Sequence, residues 1–182
     1  RKPKSTLFRD TTHVRSVVFN ASFSPDGRTI MTSGGDLTAR VWDAQTGALR
    51  TTIETNVANS VHGASFSPDG RAIVGLGTDG TVRVWDARTG AQRASLGGPD
   101  ESGWRGYPIF SPDGQVILTT NEYDRLDESG EYDELPNIQF KVWDTQTGTL
   151  RASFEGHRGD VVDASFSLDG RSIVIASWGS PV

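Results

Sequence analysis

The chain has 182 residues, of which 35% are apolar, with 21 glycines, 8 prolines, no cysteine and a formal net charge of −5. This turn-rich composition is typical of a globular protein, and it excludes a fibrous chain, disulfides and cysteine-based metal sites. The negative charge argues against a phosphate-binding surface, so nucleic acid is not an expected partner. No apolar run reaches the ~18 residues of a membrane span, and none follows the basic residues 1–4. We therefore expect no membrane association, no signal peptide and a cytoplasmic location.

The first predicted elements are four short strands joined by tight turns. Residues 16–23 are rich in β-branched and aromatic side chains, which favours a strand. Residues 24–27 (SPDG) supply a turn, because proline presets φ at the first central position and glycine takes the left-handed position that follows. Three further strands are predicted at 29–33, 38–42 and 48–53. The turns between them are predicted at 34–36 and 43–47. The unit is an antiparallel meander with alternating side chains.

This unit recurs along the chain at a nearly fixed spacing. The string ASFSPDGR occurs at 21–28 and 64–71, with looser copies at 109–115 and 164–171. The string VWD follows the first three copies, at 41–43, 84–86 and 142–144. Phe23 and Phe66 are 43 residues apart, and a period of about 40–45 residues is typical of propeller blades, each of which is one small sheet.

We therefore predict an all-β fold, a β-propeller of about three and a half four-stranded antiparallel blades in an incomplete ring. The predicted units are the last strand of a missing preceding repeat at 1–12, blade 1 at 13–54, blade 2 at 55–97, blade 3 at 98–154 and half of blade 4 at 155–182. Two explanations stay open. The chain is a fragment of a longer protein, which we favour because natural ends seldom divide a meander, or its open propeller edges lead to self-association.

The three VWD motifs, the four Phe-Ser turns and Gly156-His157 resemble the WD-repeat family of β-propellers, in particular the bacterial type with tandem repeats. The resemblance covers nearly the whole chain. It implies blades around a channel and a buried hydrogen-bonded set of histidine, serine or threonine, aspartate and the WD tryptophan. No repeat has the complete set, since Gly75 and Ile175 stand at two of the hydroxyl positions, so we expect packing to carry most of the stability. The residues that match the set are Thr32, Asp36, Trp42, Asp79, Trp85, Thr119, Trp143 and His157.

The third repeat carries an acidic insertion between its predicted second and third strands. Phe110 and Trp143 are 33 residues apart, whereas Phe23 and Trp42 are 19 apart, so 14 residues are inserted within 121–137. That segment holds seven acidic residues and one arginine, a charge of −6. Insertions in repeat proteins map to loops on one face, which is often the binding face.

The resemblance places this loop on the face that also carries the connections between blades. Trp104 and Arg105 precede the third blade and Trp178 is predicted in a turn; both residue types are common among those that dominate interface energies. The predicted partner-binding residues are Trp104, Arg105, Glu122, Tyr123, Asp124, Asp127, Glu128, Glu131, Tyr132, Asp133, Glu134 and Trp178. The alternatives are that the loop is only solvated or disordered, that Trp104 belongs to the core, and that Trp178 is covered by the missing half-blade.

Other motifs carry no predicted chemistry. Residues 75–80 (GLGTDG) match a dinucleotide-binding fingerprint, but a strand follows where that site needs a helix. Arg158-Gly159-Asp160 is predicted in the connection after Gly156-His157 and is attributed to chance. The acids of the insertion lack the spacing of a calcium loop, and the three histidines lack metal-ligand spacing. No metal, cofactor or catalytic constellation is therefore expected.

Two functional hypotheses remain. The WD-repeat resemblance implies a non-catalytic protein–protein interaction scaffold that binds proteins or peptides through rim loops. Because the insertion is acidic, the partner's surface is expected to be basic. The alternative is a regulatory or sensor propeller of a larger enzyme, such as a kinase, an NTPase switch or a hydrolase, whose catalytic domain lies outside this chain.

Overall fold

The structure is a computed structural model that describes residues 18–54, 62–77, 81–97, 108–120, 137–158 and 160–178. These residues form fourteen β-strands, and none of them belongs to a helix that could cross a membrane. The strands are β1 (Val18–Phe23), β2 (Thr29–Gly34), β3 (Thr38–Asp43), β4 (Leu49–Glu54), β5 (His62–Phe66), β6 (Ala72–Leu76), β7 (Val82–Asp86), β8 (Gln92–Leu96), β9 (Ile109–Phe110), β10 (Val116–Thr120), β11 (Asn137–Asp144), β12 (Leu150–Arg158), β13 (Asp160–Phe166) and β14 (Ile173–Trp178).

The strands form three four-stranded sheets and one two-stranded sheet, and all neighbouring strands are antiparallel. We number them blade 1 (β1–β4), blade 2 (β5–β8), blade 3 (β9–β12) and blade 4 (β13–β14). Within each blade the strands are adjacent in chain order, as in a meander. This architecture confirms the predicted all-β fold, an incomplete β-propeller.

Each blade starts with the same hairpin, which turns at a serine, an aspartate and a glycine. In blade 1, Ser24 Oγ donates to Asp26 Oδ1 at 2.6 Å and accepts the Thr29 amide at 3.0 Å. Gly27 has a φ of 68°, a left-handed conformation that glycine adopts without steric cost. The serine–aspartate bond has the same length of 2.6 Å in all four blades. The turn residues thus favour the hairpin through local contacts that do not involve a neighbouring blade.

The first and third hairpin turns of a complete blade lie side by side. The amide of Ala44 donates to the carbonyl of Arg28 at 2.9 Å, and Thr145 donates to Gln115 in the same way at 2.9 Å. We call this end of the blades the turn face. Because neighbouring strands are antiparallel, β10 ends and β11 begins at the opposite end of blade 3.

The core lies between the blades, where one sheet face packs on the next. Between blades 1 and 2 the cluster is Met31, Ala39, Val41, Ile53, Ala64, Ile73, Trp85 and Ala87. Between blades 2 and 3 it is Ala72, Val74, Leu76, Val82, Val84, Leu96, Ile117 and Trp143. Between blades 3 and 4, Leu118 and Phe140 pack with Phe166, Ile173 and Ile175. Each fully buried large side chain contributes roughly 1.5–3 kcal/mol, so stability arises mainly where blades meet.

The structure corrects the sequence prediction at several strand ends. Trp178 is the last residue of β14 rather than part of a turn, because it pairs with Asp160 in the ladder. Gly156 and His157 lie within β12, which ends at Arg158. Since Asn137 pairs with Arg158, it belongs to β11 and not to the insertion predicted within 121–137. Arg158 and Asp160, predicted in a connection, belong to β12 and β13. Ladder pairing overrides local turn propensity at these positions.

Candidate interaction surface

The turn that follows each WD motif pairs its aspartate with an arginine seven residues later. In blade 2, Asp86 Oδ1 accepts the amides of Arg88 at 3.0 Å and Thr89 at 2.8 Å, and Oδ2 accepts Arg93 Nη2 at 2.6 Å. These bonds, with that of Arg93 first, hold the pKa of Asp86 well below its usual range. The pair recurs as Asp43–Arg50 and Asp144–Arg151. The arginines are half-exposed, so they present charge on the turn face.

The aspartates of the first hairpin turns lie on the same face. Asp69 Oδ1 accepts the Ser67 hydroxyl at 2.6 Å and the Arg71 amide at 3.0 Å. The serine bond is the main cause of the lowered pKa of Asp69, and Ser111 lowers the pKa of Asp113 in the same way. Both residues are exposed, so each presents an ionised carboxylate to solvent.

A groove crosses the turn face between blades 2 and 3. It encloses about 760 Å³, and ligand-binding clefts occupy roughly 300–1,000 Å³. The blades are in contact here: a Cβ built on Gly114, whose φ is 70°, would lie 3.5 Å from Pro68 Cδ, an ordinary contact distance. The charged and amide side chains that line the groove are Asp69, Arg93, Asp113, Gln115, Asp144, Gln146 and Arg151. Three aspartates and two arginines give this groove a formal charge of −1. We call it the turn-face groove.

Two glutamines distinguish this groove from the corresponding positions one blade earlier. Gln115 follows Gly114 as Arg71 follows Gly70, and Gln146 lies two residues after Asp144 as Arg88 does after Asp86. Blade 3 therefore has two neutral glutamines at positions where blade 2 has two arginines. An amide offers both donors and an acceptor, which suits the backbone of an extended peptide. The carboxylates nearby suit a basic side chain.

The WD tryptophans are held inside the blades by a threonine on the neighbouring strand. Trp42 Nε1 donates to Thr32 Oγ1 at 2.8 Å, and Trp143 Nε1 donates to Thr119 Oγ1 at 2.8 Å. In blade 2 the corresponding strand has Gly75, and Trp85 is buried without that hydroxyl. Asp36, in the β2–β3 turn, accepts the Thr38 hydroxyl at 2.8 Å and pairs with Arg40 at 2.7 Å. These residues stabilise the blades through contacts within each sheet.

Most of the residues predicted to bind a partner lie outside the described part of the chain. These are Trp104, Arg105, Glu122, Tyr123, Asp124, Asp127, Glu128, Glu131, Tyr132, Asp133 and Glu134. Trp178 is described as the final pairing position of β14. Asp79, from the structural set, also lies outside, and His157 falls within β12. The rim surface drawn from the sequence therefore stays a prediction.

The arginines and glutamines of the turn face were missed by the sequence reasoning. A signal for the arginines was present, because an arginine follows each WD aspartate by seven residues in all three VWD repeats. No comparable signal marks Gln115 and Gln146. Their position in one groove is visible only in the structure, because it results from the packing of blade 2 against blade 3.

The described ranges contain no group of three or more histidine, cysteine, aspartate or glutamate side chains that could hold a metal ion. The aspartates of the turn face are each engaged by a serine, an amide or an arginine, in the same way in every complete blade. Such repeated engagement is typical of a structural turn, and the Ser67–Asp69 bond that lines the turn-face groove recurs in all four blades.

Repeated four-stranded blades with a tryptophan–threonine bond define a propeller of the WD type. Residues 1–43, 47–86 and 148–180 match the family described as WD domain, G-beta repeat. These segments make up more than half of the chain, which therefore belongs to this family. The unmatched residues 87–147 include most of blade 3, whose strands and Trp143–Thr119 bond nevertheless follow the plan of blade 1. No curated protein matches the chain.

Proposed function

We propose that the chain is a non-catalytic scaffold that binds protein or peptide segments. WD repeats generally mediate protein–protein interaction, and this chain belongs to that family. The observation that carries the proposal is the turn-face groove, in which charged and amide side chains from two blades line one cleft of about 760 Å³. The packed cores on both sides of blade 2 hold these groups in place.

The ligand that fits the turn-face groove is an extended peptide with a basic side chain. Gln115 and Gln146 offer hydrogen bonds to a peptide backbone, and Asp69 and Asp113 offer carboxylates to a lysine or arginine. Since the pKa of both aspartates is lowered, they stay charged at neutral pH. Arg93 and Arg151 would repel a basic side chain placed beside them. The basic side chain of a bound peptide is therefore expected to lie beside Asp69 and Asp113.

A second contact region belongs to the same proposal and rests on the sequence. Trp104, Arg105, Trp178 and the acids within 122–134 would contact the partner from the opposite end of the blades. The charge of −6 on the 121–137 segment favours a basic partner surface there too, and it would speed association at low salt. Both regions thus select partners of the same charge.

The experiment is selection of a phage-displayed peptide library on the immobilised chain, followed by calorimetry with the enriched peptides. We expect enrichment of lysine and arginine, and affinity that falls about tenfold or more in Asp113→Asn. The matched control is Asp26→Asn, which changes the same serine–aspartate turn in blade 1, outside the groove. Equal losses in the two variants would remove the groove from the proposal.

The rim region is tested with the same enriched peptides and with whole proteins that contain them. Trp104→Ala, Trp178→Ala and deletion of 122–134 are expected to weaken binding of the whole protein, while circular dichroism keeps the β-sheet signal. Unchanged affinity in all three variants would show that the predicted rim residues are not the contact. Absence of any enriched peptide together with no bound protein would contradict the scaffold function itself.

A further inference from the structure

Two positions of the turn face differ in charge from blade to blade. Arg71 stands where blade 3 has Gln115, and Arg88 stands where blade 3 has Gln146. Blade 1 has an arginine at the first position but Gln45 at the second. Of the three four-stranded blades, blade 2 is thus the one with an arginine at both positions.

Backbone contacts hold the two arginines of blade 2 next to each other. The amide of Ala87 donates to the carbonyl of Arg71 at 3.0 Å, and Ala87 immediately precedes Arg88. The Arg88 amide donates to Asp86 Oδ1 at 3.0 Å, and its carbonyl accepts the Thr51 hydroxyl of blade 1 at 2.8 Å. The two side chains therefore start from neighbouring, fixed points on the turn face.

The outer strand of blade 1 packs closely against the turn that carries Arg88. A Cβ built on Gly90, whose φ is 76°, would lie 3.0 Å from Thr51 Cγ2 and 3.2 Å from the carbonyl oxygen of Thr52. At the turn-face groove the position of Thr51 is held by Ala94, which has no hydroxyl to donate. The turn of Arg88 is therefore anchored to the preceding blade by a side-chain hydrogen bond that its blade 3 counterpart cannot form.

The guanidinium groups of the two arginines are accessible to a ligand. Arg71 and Arg88 are exposed, and neither forms a salt bridge with any residue that the structure describes, whereas Arg50 and Arg93 are each paired with an aspartate. The charge of Arg71 contributes to the lowered pKa of Asp69, so that carboxylate offsets part of one positive charge. Each guanidinium offers five N–H donors and no acceptor, so the pair favours an anionic ligand.

The blade 1–blade 2 junction and the turn-face groove have opposite charges when the same positions are compared. The positions that give the groove its charge of −1 hold three aspartates and four arginines at this junction, a formal charge of +1. They are Asp26, Arg50, Asp69, Arg71, Asp86, Arg88 and Arg93. Arginine binds carboxylate and phosphate oxygens through two parallel hydrogen bonds. An anionic group therefore fits this junction better than it fits the groove.

We propose that Arg71 and Arg88 form a second binding site on the turn face, which takes an anionic side chain, a carboxylate or a phosphate ester, of a partner's peptide segment. The inference rests on the proposed scaffold function, because it names a further class of segment for the same face. The two sites have opposite preferences: the turn-face groove takes a basic side chain, and the arginine pair takes an anionic one. Since both arginines are exposed, binding at this site weakens as salt is added.

Fluorescence polarisation with labelled hexapeptides at low salt tests the arginine site. The probes are hexaglutamate and a glycine–phosphoserine hexapeptide, which distinguish carboxylate from phosphate, and a glycine–serine hexapeptide is the uncharged reference. The wild-type chain is expected to bind at least one anionic probe. A variant with both Arg71→Gln and Arg88→Gln is expected to bind it about tenfold more weakly.

Glutamine is compatible with both turns, because Gln115 and Gln146 form the same turn hydrogen bonds in blade 3. The matched control carries Arg28→Gln and Arg171→Gln, which remove the same charge from exposed turn arginines of blades 1 and 4. This control is expected to keep the affinity for the anionic probe. Failure of the wild-type chain to bind either anionic probe, or an equal loss in the control, would overturn the proposal.

The lysine- and arginine-containing peptides enriched on the immobilised chain separate this site from the turn-face groove. Their affinity is expected to fall in Asp113→Asn and to stay the same or rise when Arg71 and Arg88 are replaced. A chain that binds these peptides but neither anionic probe would retain the scaffold function and lose the arginine site. A chain that binds an anionic probe but enriches no basic peptide would retain the arginine site and lose the ligand proposed for the groove.

Discussion

Ser33 and Ser67 are both almost completely buried, yet their hydroxyls have different surroundings. Ser67 Oγ donates to Asp69 at 2.6 Å and accepts the Ala72 amide at 2.9 Å. Ser33 Oγ has no hydrogen-bond partner within the described residues. Its counterpart one blade later is Leu76, an apolar core residue. The same position in the fold thus accepts an apolar side chain.

We expect Ser33→Ala to raise the free energy of unfolding by about 1 kcal/mol, because it removes a buried hydroxyl without a partner. Ser67→Ala is expected to lower it by roughly 1–3 kcal/mol, because it leaves the Ala72 amide and the turn unsatisfied. Urea unfolding of the two variants measures both values. A Ser33→Ala variant as unstable as Ser67→Ala would show that Ser33 has a partner that supports the fold.

The role of a single residue can be predicted where a sequence motif also fixes which residues face each other on neighbouring strands. Thr32 and Trp42 are ten residues apart, and the hairpin of β2 and β3 brings their side chains within 2.8 Å. The WD-repeat resemblance implies this pair. The sequence predicts Trp178 in a turn because its counterpart in the first repeat, Gly35, is a turn residue. In the structure it continues β14, since pairing with Asp160 satisfies its backbone.

At the scale of elements, the turns of the turn face link stability to pH. The pKa values of Asp43, Asp86 and Asp144 lie far below the ordinary value, through backbone amides and the paired arginines. The unfolded chain therefore binds more protons than the folded chain at acidic pH, so stability rises with pH in that range. The contribution is fully present above the unfolded pKa of about 3.9 and is lost as the pH falls below it.

We expect the urea midpoint of the wild-type chain to fall steadily as the pH is lowered below about 5. Asp86→Asn should make this fall less steep, because it removes one of the carboxylates whose folded pKa is lowered. The control is Asp163→Asn, which removes the same charge from an exposed position of β13. Equal slopes for the two variants would show that the Asp86–Arg93 pair does not contribute to the pH dependence.

At the scale of the whole molecule, each blade depends on the blades beside it. Blade 2 has packed clusters on both sides, whereas blade 4 has two strands, and its cluster residues Phe166, Ile173 and Ile175 are only partly buried. In repeat proteins, stability is close to a sum of unit and nearest-neighbour terms. Local unfolding should therefore begin at blade 4, and blade 2 should unfold last.

Hydrogen exchange followed blade by blade measures this order. Amides of β13 and β14 are expected to exchange faster than those of β5–β8. Phe166→Ala should speed exchange in blade 4 and leave blades 1 and 2 unchanged, whereas Phe66→Ala should affect blades 1 and 2. Uniform exchange across all sheets would mean that the chain opens as one cooperative unit.

The sequence by itself determined the blades, because turn chemistry and strand alternation act over a few residues and the repeat shows them several times. Only the tertiary structure decided which side chains act together. Asp69 and Gln146 are 77 residues apart, and they line one groove because blades 2 and 3 pack side by side. Phe23 and Phe66 stand in identical strings, yet one is exposed and the other packed, since burial depends on the neighbouring blade and not on the repeat.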